Sequence, residues 1–430
     1  MSGEQAGTRI ALQNPVRRLC FLIPCLLLIS AYLGLVTKQS VAAYFAKSSD
    51  LSDLQRAVRL EPGNAEYHDK LGQYLSLIQN SPEMALPSYR AAVALNPHQA
   101  HYWFDLANDY QSLEDTERQT EAMQRAISTD PTTPELAWEA ANQYLVQGNT
   151  QKALHEFRVV IEDDSYLPAS ALQMCWKVQP DIDLLLRDVV PPTVMAYSSF
   201  LELLTTKGEN AAAAKVWSRI VELRQPFPAS RVFEYIRYLI GQREVHQAQL
   251  VWQQAAAISG LAPYQPSAEN LVVNGDFSLD VLNGGFDWLY SQPEGVVLAL
   301  DPTQTHYGSR SLLIVFAGPG VSESGIRQLI PVQPNSVYDF SASFKAEDIQ
   351  GAGGPQFTIQ DAYSEHTFYA SDDLKGADFW KPVDGKFATS PETKLLALRI
   401  LRVPAASPIR GKLWISSIRL APHKQQGNGS

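Results

Sequence analysis

The amino-acid sequence predicts a multidomain protein with an N-terminal transmembrane helix, an all-α superhelix of repeats and a C-terminal all-β jelly-roll sandwich. Three observations support this prediction. An uncharged apolar run lies near the N-terminus, helical landmarks recur every 34 residues in the middle, and short alternating segments fill the last third. At 430 residues the chain is too long for one compact core, so several domains are expected.

The composition is that of an ordinary globular protein, with 45% hydrophobic residues. The net charge is −10 and no segment concentrates Lys and Arg, so we expect no nucleic-acid partner. Cys20 and Cys25 lie within the apolar run, and Cys175 is alone in the rest of the chain. The part that follows the run must therefore be stable through packing alone, without an internal disulfide.

The apolar run covers residues 19–36, carries no charge, and follows Arg9, Arg17 and Arg18. At about 1.5 Å per residue, a helix of this length spans roughly 27 Å, which is enough for the hydrocarbon core of a membrane. The arginines favour a cytoplasmic location for residues 1–18. We therefore expect a single-pass protein of the inner membrane, with most of the chain exported to the periplasm or the cell exterior.

A cleaved signal peptide is the alternative interpretation of the same run. Val41, Ala42 and Ala43 supply small residues at a suitable distance for cleavage. We favour the uncleaved anchor because the run is longer than a usual signal core. The chain is exported under both interpretations.

The repeats are predicted over residues 42–262. Three positions are spaced 34 residues apart, and a large apolar side chain follows each of them four residues later. These positions are Ala85, Gln119 and Ala153, followed by Tyr89, Met123 and Phe157. A period of about 34 residues is typical of a two-helix unit that cannot bury its own apolar face and must stack on its neighbours.

The repeats also have irregular parts. Residues 51–62 match the second half of a unit whose first helix is missing, and the next unit carries one extra residue in its turn at residues 80–82. The phase breaks over residues 166–193, and two divergent units follow. We therefore expect about five units with a degenerate one in the middle.

The repeated order of residue types is Trp, Leu, Gly or Ala, Tyr, Ala, an aromatic, Ala and Pro. One unit carries it as Trp103, Leu106, Ala107, Tyr110, Ala126 and Pro131. This order resembles the tetratricopeptide repeat. The resemblance implies a right-handed superhelix whose concave face binds a peptide or a partner protein. The predicted contacts are polar residues on the first helix of each unit, namely Asn108, Asp109, Asn142 and Gln143.

Residues 263–268 form a linker that contains Pro and Ser, and residues 269–422 hold short alternating runs separated by Gly, Asn, Asp and Pro. About eleven short strands without a helical period predict a β-sandwich. Residues 423–430 are expected to form a disordered tail.

The sandwich segment opens with Asn-Leu-Val-Val-Asn-Gly-Asp-Phe at residues 270–277 and closes with Gly-Lys-Leu-Trp-Ile-Ser-Ser-Ile-Arg-Leu at residues 411–420. This pairing is similar to the galactose-binding-like jelly rolls found among carbohydrate-binding modules. The resemblance implies a possible polysaccharide ligand.

Modules of that family often hold a structural calcium between acidic residues just after the opening Phe and just after the closing Trp-Ile. Ser278 and Ser416 occupy those places here. Because a hard cation needs several oxygen ligands, usually including carboxylates, we expect no metal or other cofactor. Asp276 and Asp280 leave structural calcium open as a disfavoured alternative.

Sugar recognition uses aromatic rings stacked on the apolar faces of pyranose rings, together with amides and carboxylates that bind hydroxyl groups. The predicted binding rim consists of Trp288, Tyr290, Gln360, Asp361 and Tyr363. Phe286, Trp288 and Tyr290 share one face of a strand, so these aromatics fit the core equally well. Phe340, Phe344 and Trp414 are expected to lie in the core of the sandwich.

The sequence contains no nucleophile elbow, no phosphate loop and no zinc-binding His-Glu-x-x-His motif, so we do not expect an enzyme. It predicts a membrane-anchored, exported adaptor with a glycan-binding-like β domain, acting in polysaccharide assembly or export at a bacterial cell envelope. Two alternatives stay open. One is a purely protein-binding scaffold without sugar binding. The other is a divergent polysaccharide-active enzyme with candidate carboxylates at Asp287, Glu323, Asp361 and Glu365.

Overall fold

A computed structural model describes residues 15–163 and 168–424. It confirms the predicted fold class, because an apolar N-terminal helix and a series of helices precede two antiparallel sheets at the C-terminus. The chain forms two compact units, Met1–Val189 and Val190–Ser430. Most of the predicted cytoplasmic end and of the predicted tail lies outside the described residues. The domain boundaries proposed from the sequence stay predictions.

The first unit is helical. Its helices are α1 (Pro15–Phe45), α2 (Leu51–Leu60), α3 (Ala65–Gln73), α4 (Pro82–Leu95), α5 (Ala100–Ser112), α6 (Thr116–Thr129), α7 (Pro134–Val146), α8 (Thr150–Glu162), α9 (Pro168–Val178) and α10 (Ile182–Leu184). Short π-helical segments continue α3 over Tyr74–Ile78 and α10 over Leu185–Val189. Several helices begin at a side-chain cap, for example Asn64 before α3 and Asp115 before α6, which satisfies a free backbone N–H group.

The helices α3 to α8 form three consecutive hairpins whose crossings are closed by small residues. Ala92, Ala107 and Ala141 are fully buried. At Gly72, an added Cβ would lie 2.8 Å from the ring of Tyr89, so a larger side chain does not fit there. The repeated small positions therefore lie where two helices approach most closely, as the period predicts.

The extra residue of the first full unit lies within a helix. The first-helix segments are residues 65–78, 100–112 and 134–146, and each is followed by a three-residue turn. The first segment is one residue longer and ends in the π-helical segment Tyr74–Ile78. The sequence placed the insertion in the turn at residues 80–82, which is wrong, because a π-helical turn accommodates one more residue without lengthening the loop.

The sequence predicted that the unit containing α2 lacks its first helix. The C-terminal end of α1 occupies that place. Ala42 and Ala46 are 0% and 5% exposed, and they lie in one apolar cluster with Ala57 of α2 and Tyr67 of α3. The end of α1 therefore packs as the first helix of the array.

The rest of α1 has a different character, because its apolar side chains are exposed. Over Arg18–Phe45 it is long and apolar enough to cross a membrane, with a mean hydropathy of 2.5 over an 18-residue window. A helix of this kind near an N-terminus is compatible with a membrane anchor and with a signal sequence.

The second unit begins with two more hairpins. Its helices are α11 (Val194–Lys207), α12 (Asn210–Leu223), α13 (Ser230–Gly241) and α14 (Val245–Ser259). Trp217 and Trp252 are 3% and 1% exposed, so both fill the core of their hairpins as expected for divergent units. Gly208 and Gly260 end α11 and α14 in the left-handed conformation, which glycine adopts without strain.

Ten strands follow the helices of the second unit. They are β1 (Trp288–Tyr290), β2 (Val296–Asp301), β3 (Ser311–Gly320), β4 (Glu323–Pro331), β5 (Val337–Gln350), β6 (Gly354–Asp361), β7 (Thr367–Ala370), β8 (Ala377–Ala388), β9 (Leu395–Val403) and β10 (Pro408–Pro422). Sheet A has the order β1-β4-β9-β6-β7, and sheet B has the order β2-β3-β10-β5-β8. Neighbouring strands within each sheet run antiparallel, as in a sandwich.

The sandwich core follows the alternation of side chains along the strands. Phe340 and Phe344 lie in it, as predicted. Trp414 was also expected there, but Leu413 and Ile415 are the core residues of β10, and Trp414 projects from the other face of sheet B. It is nevertheless buried, because Lys345 lies over its ring and its Nε1 donates to Asp301 Oδ2 at 2.8 Å.

Within the second unit, α13 and α14 pack against the outer face of sheet A. Gly285 has a φ of +63°, and an added Cβ there would lie 2.5 Å from Cζ3 of Trp252. The Tyr363 hydroxyl donates to the carbonyl oxygen of Ile240 at 2.8 Å. These contacts place the last helical hairpin directly on the sandwich.

Candidate functional sites

Helices α3 and α5 bring polar groups together on the first-helix side of the array. Gln73 Nε2 donates to Asp69 Oδ2 at 2.9 Å and to Asp105 Oδ2 at 2.8 Å. Asp69 is only 4% exposed. Burial raises the pKa of Asp69 well above its usual value, and the charge and hydrogen bond of neighbouring Asp105 raise it further. The Asp69 carboxyl is therefore held in its neutral form over much of the physiological pH range.

Asp109 is a second buried carboxyl on α5. It is 1% exposed, and burial raises its pKa to about 6, although the neighbouring Ser76 hydroxyl lowers it. The sequence predicted Asp109 as a contact for a partner protein. Its burial leaves no side-chain surface for such a contact in this structure.

The other three predicted protein-binding residues lie nearby. Asn108 Oδ1 accepts a 2.6 Å hydrogen bond from Gln143 Nε2, and Gln143 Oε1 accepts one from Gln119 Nε2 at 3.3 Å. Asn142 donates to the Trp138 carbonyl oxygen at 2.8 Å. Gln143 is buried, so it joins the helices, whereas Asn108 and Asn142 are half-buried and keep some accessible surface.

The sequence did not single out Asp69, Gln73 and Asp105. Asp69 and Asp105 lie on the first helices of consecutive units, which was the available signal. Their proximity depends on how α3 and α5 stack, so the repeat period alone does not show it.

The five predicted rim residues do not form one surface. Trp288 is 2% exposed, stacks on Phe277 with ring centroids 5.2 Å apart, and donates its Nε1 hydrogen to Asn274 O. It belongs to the core, which was the open alternative for this strand face. Tyr290 is 45% exposed and keeps an accessible ring. Strands β4 and β9 separate its strand, β1, from β6.

The remaining three rim residues lie at and after the end of β6. Asp361 is buried and accepts backbone N–H groups of Tyr363 and Ser364 at 2.9 and 2.8 Å, so it shapes the turn. Gln360 Nε2 donates to Thr367 Oγ1 at 3.1 Å. Because the Tyr363 hydroxyl is bonded to Ile240, this group serves internal contacts, and a role in ligand binding stays a prediction.

A different part of the sandwich presents aromatic rings. The aromatic surface, as we call it, consists of His306, Tyr307 and Trp380. The His306 ring lies 5.0 Å from the ring of Trp380 and 4.3 Å from that of Tyr307, which is 94% exposed. Burial lowers the pKa of His306, so its ring is neutral at neutral pH. His306 and Trp380 are half-buried beside the exposed Tyr307. Neutral rings with an accessible face are suited to stacking on sugars.

The resemblance to carbohydrate-binding modules places a structural calcium near Ser278. In this structure the side chain of Arg310 contacts that turn. Arg310 Nη1 lies 2.9 Å from Asp280 Oδ1, Nη2 donates to Ser278 O at 2.9 Å, and Nε donates to Phe277 O at 3.2 Å. The Asp276 carboxylate accepts the Ser278 hydroxyl at 2.6 Å. A guanidinium thus binds the oxygens of this turn, and the absence of a structural calcium stays a prediction. Over residues 15–163 and 168–424, no group of three or more His, Cys, Asp or Glu side chains is placed to hold a metal.

No protein-family model matches the chain, and no curated protein matches it significantly. Parts of it are similar to solved structures. A MamA double mutant is 25% identical over 26% of this chain, with a TM-score of 0.24. The match spans 62% of that protein, which is less than two thirds of its length.

Two further solved structures cover other shares of the chain. Residues 41 to the end of MamA from Desulfovibrio magneticus RS-1 are 22% identical, over 30% of this chain and 67% of that one, with a TM-score of 0.24. A structure described as "CBM4 structure and function" is 15% identical, over 35% of this chain and 98% of that one, with a TM-score of 0.27. At TM-scores below 0.5 these similarities carry no functional argument.

Proposed function

We propose that this protein is a membrane-anchored scaffold without catalytic activity, whose helical array binds a partner protein and whose sandwich binds a glycan. One observation carries the proposal. The hairpins α3 to α8 bury their apolar faces in one another, while α3, α5 and α7 keep half-buried polar groups at Gln73, Asp105, Asn108 and Asn142. A row of hydrogen-bonding groups on successive first helices suits a polypeptide ligand that runs along the stack.

The packing of α1 supports the anchor. Cleavage after Ala43 would remove Ala42, which is fully buried against α2 and α3. An uncleaved helix keeps this contact and attaches the array directly to the membrane. Arg17 and Arg18 precede the apolar part, which supports a cytoplasmic N-terminus and an exported array. A role in polysaccharide assembly or export at a bacterial cell envelope is part of the same proposal.

The aromatic surface supports the glycan ligand. Tyr307 is 94% exposed beside His306 and Trp380, and Gln304 in the same loop accepts a hydrogen bond from Lys345 at 2.9 Å. Exposed rings with neighbouring amide and ammonium groups are the usual components of sugar sites.

The protein-binding part is tested by placing a photo-crosslinking amino acid at Asn108 in the full-length protein in cells. A discrete crosslinked partner is expected from this position. The matched control position is Arg125, which is exposed on the second helix α6 of the same hairpin. Equal crosslinking from both positions, or none from Asn108, would contradict binding along the first helices.

The glycan-binding part is tested by affinity electrophoresis of the full-length protein in detergent through gels that contain neutral polysaccharides. Retardation is expected for the wild type and should be lost in Tyr307→Ala and Trp380→Ala, but not in Tyr290→Ala. If only Tyr290→Ala loses the retardation, the glycan site lies at the rim predicted from the sequence and not at the aromatic surface. Absence of retardation by any polysaccharide would favour the purely protein-binding scaffold.

A further inference from the structure

We propose that the cleft between α13 and the outer face of sheet A binds the carboxylate group of an acidic saccharide. The choice of a saccharide rests on the proposed glycan-binding function of the sandwich. The anion site itself is argued from three arginines, Arg237, Arg327 and Arg399, which we call the arginine cleft.

Two of these arginines are direct cross-strand neighbours. Arg327 on β4 is paired in register with Arg399 on β9. They alternate with core residues such as Ile326 and Leu398, so both side chains project from the outer face of sheet A. Like charges directly opposite each other on adjacent strands are destabilising, and a bound anion would relieve that repulsion.

The third arginine comes from the helix that covers this face. Arg237 of α13 lines a cavity of about 270 Å³ together with Arg327 and Arg399. An adjoining cavity of about 410 Å³ is lined by Arg237 and Arg327 and extends to Asn283 and Tyr290. The two cavities share Arg237 and Arg327, so they adjoin at these two arginines.

The charges of the arginine cleft are incompletely neutralised within the protein. Glu323 is 3.9 Å from Arg399 Nη1, and Glu234 pairs with Arg237 at an exposed site at 2.8 Å. Arg327 has no ion pair with any residue of the described ranges. The side chain of Arg399 is 18% exposed. Its Nε atom is buried and has no hydrogen-bond partner among the described residues. In a chain with a net charge of −10, this excess of positive charge marks a place for an anion.

The shape of the cleft indicates the kind of anion. Guanidinium groups bind planar carboxylates through two parallel hydrogen bonds, which gives geometric selectivity that a point charge lacks. Phe233, Leu289 and Leu329 form an apolar wall beside the arginines. Small-molecule sites start at about 300 Å³, so the cleft has room for a single sugar-acid ring with one apolar face. Asn283 and Tyr290 supply polar groups at the adjoining end.

The proposal is tested by calorimetric titration of the full-length protein in detergent with galacturonate, polygalacturonate and galactose. Galacturonate or polygalacturonate should bind, galactose should not, and added salt should weaken binding. Binding of the monomer indicates a free sugar acid, whereas binding of the polymer alone indicates an acidic polysaccharide. Arg327→Gln and Arg399→Gln should each weaken binding about tenfold or more, because each loses a charged hydrogen bond.

Arg410→Gln is the matched control, since Arg410 is an exposed arginine on β10 of the other sheet, and it should bind like the wild type. Without ligand, Arg327→Gln should melt at the same temperature as the wild type or higher, because it removes the repulsion from Arg399. This readout separates lost binding from lost folding. Unchanged binding in both cleft variants, equal binding of galactose, or preference for inorganic phosphate or polyglutamate would each overturn the proposal. Tyr307→Ala should leave galacturonate binding intact, so failure here is distinguishable from failure of the aromatic surface.

Discussion

The hydroxyl group of Tyr363 donates a 2.8 Å hydrogen bond to the main-chain carbonyl oxygen of Ile240 at the end of α13. The guanidinium of Arg243 lies over the same ring, 5.0 Å from its centroid. Together these contacts fasten the turn after β6 to the last helical hairpin. The hairpin and the sandwich therefore support each other, and both contribute residues to the arginine cleft.

Tyr363→Phe should lower the free energy of unfolding of the second unit by about 1 kcal/mol, since it removes one hydrogen bond and keeps the ring. Urea unfolding, monitored by limited proteolysis of the sandwich, would measure the change in the free energy of unfolding. Tyr307→Phe is the matched control, because Tyr307 is 94% exposed and its hydroxyl is solvated in the folded protein as well. Equal stability of both variants would show that the Ile240 contact contributes little.

Gly285→Ala should be more destabilising than Gly260→Ala. Both glycines have positive φ values, +63° and +72°, but an added Cβ meets Trp252 at the first position and open space at the second. The backbone strain of about 1–2 kcal/mol is common to both variants. The clash should add about 1–3 kcal/mol at Gly285 alone, measurable as a lower melting temperature. A similar loss in both variants would argue against close packing of α14 on the sandwich.

Asp69→Asn should stabilise the helical array at neutral and mildly alkaline pH. Because the folded-state pKa of Asp69 is raised, the folded array binds more protons than the unfolded chain above about pH 4, and its stability falls as pH rises. The amide imitates the neutral carboxyl and removes this loss. The melting temperature of Asp69→Asn, monitored by circular dichroism of the helices, should equal that of the wild type near pH 4. It should exceed that of the wild type at pH 8.

The exposed α7 carboxylate Glu139 provides the control for that experiment, and Glu139→Gln should retain the pH dependence of the wild type. A lower melting temperature of Asp69→Asn at pH 8 would mean that the ionised carboxylate is the stabilising form.

Arg310→Gln should destabilise the sandwich by about 1–3 kcal/mol, because the guanidinium donates charged hydrogen bonds to the carbonyl oxygens of Phe277 and Ser278. Arg310→Lys should be intermediate, since one ammonium cannot reproduce the forked geometry. Thermal melts of the wild type with calcium or with a chelator should coincide. A calcium-dependent rise in its melting temperature would show that the turn binds a cation after all.

Ala42→Leu should destabilise the start of the array by about 1–3 kcal/mol, because Ala42 is fully buried in the cluster with Ala57 and Tyr67 and a larger side chain would overpack it. Val41→Leu is the control, as Val41 is 40% exposed. Mass spectrometry of the protein from membranes should find an N-terminus before Ala42. A mature chain that starts after Ala43 would contradict the anchor.

Much of the architecture follows from local patterns in the sequence. Small residues such as Ala107 and Ala141 recur because two helices can cross closely only there, so the period predicts the hairpins before any coordinates are known. The alternation in β5 likewise places Phe340 and Phe344 in a core.

Local patterns are less informative about which face is buried. Alternation shows that Trp288 and Tyr290 share one face of β1, but both core and rim placements satisfy it. The structure decides this by stacking Trp288 on Phe277 and leaving Tyr290 45% exposed. Trp414 shows the same ambiguity, since its strand buries side chains on both faces.

The sequence by itself therefore determined the secondary structure, the repeat period and the small positions at helix crossings, because these depend on residues close together in the chain. Only the tertiary structure decided that α1 completes the array, that Tyr363 bonds to Ile240 123 residues away, and that Arg327 and Arg399 lie side by side. Such contacts depend on strand register and on helix stacking, and they join residues whose separation in the chain carries no information about their distance in space.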